Sequence, residues 1–435
     1  MWKLVLQSVP VVIWCAAFVA VVRPLALSRR GTLFTSAAFA VALGKFAFFG
    51  LAGGDSFTPD LPPLAIWFYG WLYASAVMLV AAAIPFDIAC RISALAKRGV
   101  SAKTKRMVFA SLAVFAAAVS LWGVYEGAKI PVVKRVEIAY DDLPPSFDGY
   151  RIVHLSDLHC STAARRTRFE RIAGRVNSLD ADLVAITGDF VDGTVADRLE
   201  DISPLADIRA RDGVWGCAGN HERYWDWDGW ECALRGLGVR ILDGSAPAGC
   251  RVIRRDGGVW GCAGNHERYW DWDGWERALR GLGVRILDGS APAGCRVIRR
   301  DGGAIAVGGL CDCAFSEIPG FVPDAGGAFD GAPEGAFRIL LFHRPYTKAT
   351  GSEKADVRLQ LSGHTHGGAM PVVDWLVSSA NEGHVRGLYM FAEGRYLHVS
   401  PGTGQWSGFP LRLFNPSEIT EIVLRRKTEG EARKP

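Results

Sequence analysis

Four stretches in the first third of the chain are almost wholly apolar: residues 4–25, 33–52, 64–84 and 107–125. A helix needs about 20 such residues to cross the hydrocarbon core of a bilayer, so each run predicts a transmembrane helix. Four buried core helices crowded into one third of a soluble chain are the weaker reading. From residue 132 the pattern changes to short apolar runs of strand length, separated by turns and polar, helix-like stretches. KRVEIAY, YRIVHLSD, ADLVAITGD, GVWGCAGN, AIAVGGL, FRILLFH and VRLQLSGH each end on a polar or glycine-containing segment. This alternation predicts a layered α/β domain, in which ligand sites gather where loops converge at the strand C-termini.

Charge orients the membrane part. The first loop carries Arg23, Arg29 and Arg30, and the third carries Arg91, Lys97, Arg98, Lys103, Lys105 and Arg106, whereas the second holds only Asp55 and Asp60. Cytoplasmic loops collect Lys and Arg, so both termini and the α/β domain are expected on the extracytoplasmic side of a multi-pass protein. The first run is read as an anchor because Lys3 is its only leading charge and no clear small-residue cleavage site follows it. Lys45, with no acidic partner in view, is expected to snorkel or to sit at a helix interface. A net charge of +4 is too mild to point to nucleic acid. The ten cysteines form no CxxC pair. Cys311 and Cys313 are read as two small, half-buried residues, with pairing or metal binding as the alternative.

A 45-residue block then occurs twice, at 213–257 and 258–302, differing only in Cys232 against Arg277. Solenoids need several stacked units, so the block is read as a recent duplication or an error in the assembled sequence. The domain has room for one copy and must extrude the equivalent of the other.

Five motifs close successive predicted strands: Asp157-Leu-His159; Gly188-Asp189-Phe-Val-Asp192; Gly219-Asn220-His221-Glu222, repeated as Gly264-Asn265-His266-Glu267; His343; and Gly363-His364-Thr-His366. Each alone is common. Together they hold six of the nine histidines. Imidazole and carboxylate donors without thiolate suit Mn, Fe or Zn. On extended backbone, Asp157 and His159 would point the same way, and His364 and His366 would repeat that pincer. A carboxylate such as Asp189 has two oxygens with which to bridge two ions. His154, inside a strand, is read as structural, and His384 and His398 match no motif. The tryptophans after the first GNHE (Trp225, Trp227 and Trp230) either line an entrance at the membrane interface or cover the core as the start of a helix.

Taken in order, these motifs resemble the signature of the calcineurin-like metallophosphoesterases, and the flanking RIVHLSDLH and HVSPGTGQWSGFPLRLFNPSEITEIVL resemble their bacterial membrane-associated branch. The resemblance covers about 133–424. It implies an α/β fold: a four-layer sandwich of two packed mixed sheets flanked by helices, here preceded by an all-α transmembrane bundle of about four helices. The boundaries expected are 1–126 for the membrane region, 127–150 for a linker and first strand, 151–426 for the catalytic domain and 427–435 for a disordered tail. It further implies two divalent metal ions, with Asp157, His159 and His366 on one, Asn220, His343 and His364 on the other, and Asp189 between them. His221 would protonate the leaving oxygen while a hydroxide bridging the ions attacks phosphorus. Asp192 and Glu222 are expected to support these groups from behind. The second copy offers Asn265 and His266 as alternatives, but the first is preferred because its strand emerges first beside its upstream partners.

The expected substrate is a phosphate mono- or diester, lipid-linked if the site's place beside a bacterial inner membrane decides it. The competing reading is a membrane-anchored sensor or scaffold that binds metal without turnover. Ala369 and Arg344 depart from the branch's usual Gln and Asn, which bears on substrate fit and leaves every metal ligand in place.

Overall fold

The computed structural model describes residues 2–56, 58–217, 219–221, 227–241, 253–255, 258–261, 284–286, 295–310, 312, 323–370 and 374–427. Five helices open the chain. They are α1 (Trp2–Ala17), prolonged by a π-helical turn (Phe18–Val22), α2 (Arg29–Leu43), α3 (Lys45–Ala52), α4 (Pro63–Leu95) and α5 (Ala102–Ala128). Ser28 and Ser101 start α2 and α5 by accepting backbone N–H groups at their first turns, the ordinary use of serine at an N-cap. Among the described residues, α4 and α5 are by themselves long and apolar enough to cross a membrane; α2 and α3 make a third span if taken as one, across a 59° bend, and Val9–Val22 is apolar but shorter. The second apolar run is thus broken. At Gly44 the backbone leaves the helical well (ψ 8°), and glycine resists that least. Leu33, Phe34, Leu64, Leu95 and Val114 are exposed along these helices, as apolar side chains facing lipid would be.

The remaining chain forms two six-stranded mixed sheets. The first takes β1 (Val132–Tyr140), β2 (Arg151–Leu155), β3 (Leu183–Thr187), β4 (Val214–Cys217), β5 (Val239–Ile241) and, last in the chain, β15 (Glu418–Arg426). Its order is β1-β15-β2-β3-β4-β5, with β15 antiparallel to β2 and the other neighbours parallel. The second takes β9 (Arg296–Arg300), β10 (Gly303–Leu310), β11 (Phe337–Phe342), β12 (Val357–Ser362), β13 (Gly387–Ala392) and β14 (Arg395–Val399) in the order β13-β14-β12-β11-β10-β9. All seven sequence-predicted strands are present. Ile152, Leu183, Ala185, Ile305, Val307, Ile339, Leu341, Leu359 and Ile422 fill the space between the sheets, while Leu155, Val184 and Ile186 face outward onto helices. Those helices are α6 (Arg166–Asn177), α7 (Val195–Ile202) and α8 (Trp227–Gly236). Residues buried on both faces explain why β3 reads as a continuous apolar run. The outer face of the second sheet is covered by Ala328 and Phe329 on a short helical turn. Of the expected tail, residues 428–435 lie outside the described residues.

Among the described residues, one copy's worth of the duplicated block enters this sandwich. The front of the first copy supplies β4, α8 and β5, and the back of the second supplies β9. What lies between contributes β6 (Ile253–Arg255), β7 (Gly258–Gly261) and β8 (Val284–Ile286), which pair among themselves as a separate three-stranded sheet.

The helices and the sandwich meet along the segment before β15. Lys45, buried among the rings of Phe46, Phe49, Tyr73 and Phe409, donates to the carbonyl of Gly408. Gly123 on α5 accepts from the amide of Arg412 (2.9 Å), and Leu411 and Leu413 pack with Ala74 and Val124. The acidic second loop also faces the sandwich: Pro59 accepts from Thr162 (3.2 Å) and Asp60 pairs with Arg198 (2.9 Å).

Candidate metal centre

β2, β3 and β4 run parallel as neighbours, and so do β10, β11 and β12. Their C-terminal loops therefore open at shared edges, where backbone bonds knit them together. The amide of Asp157 donates to Gly188 O (3.0 Å), that of His159 to Asp189 O (3.0 Å) and that of Gly363 to His343 O (2.8 Å). The amide of His364 donates to the Asp157 carboxylate (3.1 Å), tying one sheet's loop to the other's.

The expected pincer geometry needs correction. Asp157 and His159 lie beyond β2, and His364 and His366 beyond β12, so strand alternation does not aim them. Asp157, His159, Asp189, His364 and His366 instead all adopt left-handed backbone, with φ between 45° and 69°. Left-handed conformations are costly for residues with a Cβ and recur where function over-determines the backbone. Gly188 adds a close approach: a Cβ there would lie 2.6 Å from the Gly219 nitrogen and 2.7 Å from His343 Nδ1.

These turns bring the side chains together. His159 Nε2 lies 3.1 Å from His366 Nε2 and 3.8 Å from Asp189 Oδ2. His366 Nε2 is 3.6 Å from Asp157 Oδ1. On the other side His343 Nε2 sits 3.1 Å from Asp189 Oδ2 and 3.3 Å from His364 Nδ1. Asp189 thus faces both groups, and its other oxygen accepts the amide of His221 (3.0 Å). Asp192 Oδ1 holds His159 Nδ1 at 3.1 Å and His221 Nδ1 at 2.6 Å, which leaves both Nε2 atoms turned inward. All these groups except His221, His364 and His366 are almost wholly buried.

The electrostatics are those of opposed charges packed without water. Burial works to raise the Asp189 carboxyl, but His343, His221 and His159 hold it well below the usual carboxylate range. Asp192 is buried as well, and His159 and His221 keep it at about 2. Burial would lower His343, yet Asp189 beside it lifts it to about 10. Burial, with His343 and His159 respectively as neighbours, pushes His364 and His366 well down.

Does this donor set fit metal? Two pairs of imidazole nitrogens face each other at 3.1 and 3.3 Å. A cation drawing on both lone pairs suits such a pair better than one shared proton. Asn220 Oδ1 is buried with no hydrogen-bond partner among the described residues, an orphaned acceptor of the kind a cation satisfies. Four overlapping groups of ligand atoms each lie within 4.8 Å: Asp157, His159 and His366; His159, Asp189 and His221; Asp157, Asp189 and His343; and Asp312, His343 and His364. Nitrogen and oxygen donors with no thiolate fit Mn, Fe or Zn.

The described aspartates and histidines of the motifs converge here. Glu222, Trp225, Asn265, His266, Glu267, Cys311 and Cys313 lie outside the described residues. Trp230 is buried in α8 and donates to Gly193 O (2.8 Å), so it covers the core. His154 is structural, held between His398 (3.0 Å) and Thr187 (2.9 Å). Sequence reasoning missed Asp312, which is buried and paired through Oδ1 with Arg344 Nε (2.6 Å). Its signal was position, just past the end of a predicted strand. Trp406 was missed too; its ring centroid lies 6.2 Å from that of His221 and 6.3 Å from that of His366.

Residues 150–368 match the family model described as calcineurin-like phosphoesterase. The chain is 30% identical over 317 residues to a Danio rerio protein named "transmembrane protein with metallophosphoesterase domain", covering 72% of this chain and 62% of that one. A Bos taurus protein of the same name is 29% identical over 331 residues, covering 74% and 64%. A Helicobacter pylori protein named as an uncharacterized metallophosphoesterase is 26% identical over 308 residues, covering 71% and 68%. The chain therefore spans less than two thirds of the two vertebrate relatives.

Proposed function

Since this chain belongs to the calcineurin-like phosphoesterase family, we propose that it is a membrane-anchored hydrolase of a phosphate mono- or diester. Asp157, His159 and His366 would hold one divalent ion and Asn220, His343 and His364 a second, with Asp189 shared. The observation that carries this reading is the meeting of residues from both sheets around Asp189 Oδ2, 3.1 Å from His343 Nε2 and 3.8 Å from His159 Nε2. A bound ion pair supplies a polarised water and charge stabilisation at the phosphoryl oxygens.

The chain's own groups do the rest. Asp192 takes the Nδ1 protons of His159 and His221, which fixes His159 to offer its Nε2 lone pair inward. His221, the least buried member of the Asp192 pair, is suited to hold a proton on Nε2 and pass it to the leaving oxygen. A general acid so placed contributes roughly 10²–10⁴ in rate. A pure metal-binding scaffold needs Asp192 to set His159 but has no need of His221.

A lipid-linked substrate is favoured by the segment that walls the centre. Trp406 stands beside His221 and His366, and two residues on the carbonyl of Gly408 receives Lys45 from the helices. The acidic second loop shares a side with the sandwich, while Arg106 bonds Leu25 O and Ala26 O near the basic first loop. With Lys and Arg gathering at the cytoplasmic face, this arrangement supports an extracytoplasmic catalytic domain.

The test uses the full chain in detergent, stripped with chelator and reloaded with Mn²⁺ or Zn²⁺. Hydrolysis of an aryl phosphate or bis-aryl phosphate should return with metal, and Asp189→Ala should lose both metal and turnover. Absence of turnover with every metal rejects the enzyme reading. Faster hydrolysis of a phospholipid headgroup in vesicles than of its water-soluble analogue would support the lipid-linked substrate, and the reverse preference would reject it.

A further inference from the structure

The two proposed metal positions are unequal. One has a carboxylate of its own, Asp157; the other has Asn220, His343 and His364, all neutral donors when they bind a metal, and only a share of Asp189. The fold places a further acid where the second position lacks one. β10, β11 and β12 are parallel neighbours, with Leu310 opposite Phe342 and Leu341 opposite Leu361. The residues just past their ends, Asp312, His343 and His364, therefore open onto one edge. A carboxylate oxygen of Asp312 and one nitrogen from each histidine lie within 4.8 Å of one another. Asp312 is only 1% exposed. Its Oδ1 is held by Arg344 Nε at 2.6 Å, and its Oδ2, buried, has no hydrogen-bond partner among the described residues.

Resting on the dinuclear reading above, we infer that Asp312 is an additional ligand of the second metal ion, oriented by Arg344. A buried carboxylate oxygen without a donor carries a desolvation cost that a cation beside it removes. The Arg344–Asp312 pair has the form of the outer contacts that fix metal-binding carboxylates, which are themselves hydrogen-bonded. A second anionic oxygen beside the shared Asp189 raises the position's affinity for a divalent ion and shifts its preference toward oxygen-loving metals such as Mn²⁺. It also accounts for Arg344, since an asparagine there would leave Oδ1 without its charged donor.

The experiment titrates chelator-stripped full chain with Zn²⁺ by calorimetry, comparing wild type, Asp312→Asn and Arg344→Met. Wild type should take two ions. Asp312→Asn should keep one at wild-type affinity and bind the other about 100-fold more weakly, while Arg344→Met should weaken it by about tenfold, as loss of an outer contact does. Two ions bound by Asp312→Asn within threefold of wild type would overturn the assignment, as would an equal loss in Arg344→Met, which would make Asp312 only an anchor for the arginine. A wild type that takes up no pair of ions would sink the dinuclear reading itself. Should Asp312→Asn not fold, a crystal structure of Zn²⁺-loaded wild type decides: an Asp312 oxygen within about 2.2 Å of zinc upholds the ligand, and one beyond about 3 Å removes it.

Discussion

The two copies of the duplicated block have nearly the same sequence and different fates. In the first, β4 pairs with β5 in the register Val214 to Val239; in the second, β7 pairs with β8 as Val259 to Val284, the same register moved on by one block. The hairpins match as well: Arg255 pairs with Gly258 and Arg300 with Gly303. In the second hairpin, Asp301 and Gly302 both take positive φ (38° and 78°), the conformation that two-residue Asp-Gly turns favour. Local pairing is thus written in the block itself. Which piece joins the catalytic sandwich is not. That is decided by neighbours outside the block: 26 residues separate β3 from β4 against 70 from β7, and β10 receives β9 through its hairpin.

The strongest way to break this contrast is at the duplicated histidine. On the proposed mechanism His221→Ala removes the proton donor and spares the metal ligands, so it should lower kcat by about 10²–10⁴ while the bound metal stays at two ions. His266→Ala, the identical change one block later, should leave kcat within about twofold. Steady-state kinetics with metal analysis on both variants decides, and a damaging His266→Ala would hand the site to the second copy.

A structural version of the same contrast lies in the tryptophans. Trp230, on α8, is fully buried with its indole N–H on Gly193 O. Trp230→Ala should therefore cost about 3–5 kcal/mol, the usual price of a large aromatic cavity. Trp275→Ala should cost under about 0.5 kcal/mol if the second copy's front half carries no share of the sandwich. Urea or thermal denaturation of the two variants in detergent provides the comparison, and equal losses would contradict it.

The block also marks the limit of what the residues reveal by themselves. Apolar runs announced β1 to β4 and β10 to β12, and the polar residues at their ends announced the centre, because both depend on short-range pattern. The left-handed turns at Asp157, Asp189 and His366 left no such trace; they exist because loops from two sheets bond to one another, as where the His364 amide meets Asp157. Asp312 was hidden for a related reason. A single acid between two cysteines has no spacing to read, and its burial beside His343 follows from strand order. The bend between α2 and α3 stayed hidden as well. An apolar run does not reveal that Lys45 will be drawn toward Gly408, some 360 residues away.

The smallest expected effect belongs to removal of residues 242–286, which joins Ile241 to Leu287 and restores one continuous copy. The connection between β5 and β9 then shortens from 54 residues to 9, about a sixth of its length. Loop-closure entropy scales with the logarithm of length, so the gain is only about 1–2 kcal/mol, less whatever the separate three-stranded sheet contributes now. The shortened chain should keep two metal ions and wild-type kcat within about twofold, with a melting temperature equal to or above that of the parent. Since β4, α8, β5 and β9 all survive the deletion unchanged, a loss of metal or a fall in melting temperature would mean that the extra sheet braces the sandwich. Retention of both would mean that the second copy's front half is cargo, and that the flanking strands alone assign each piece its place.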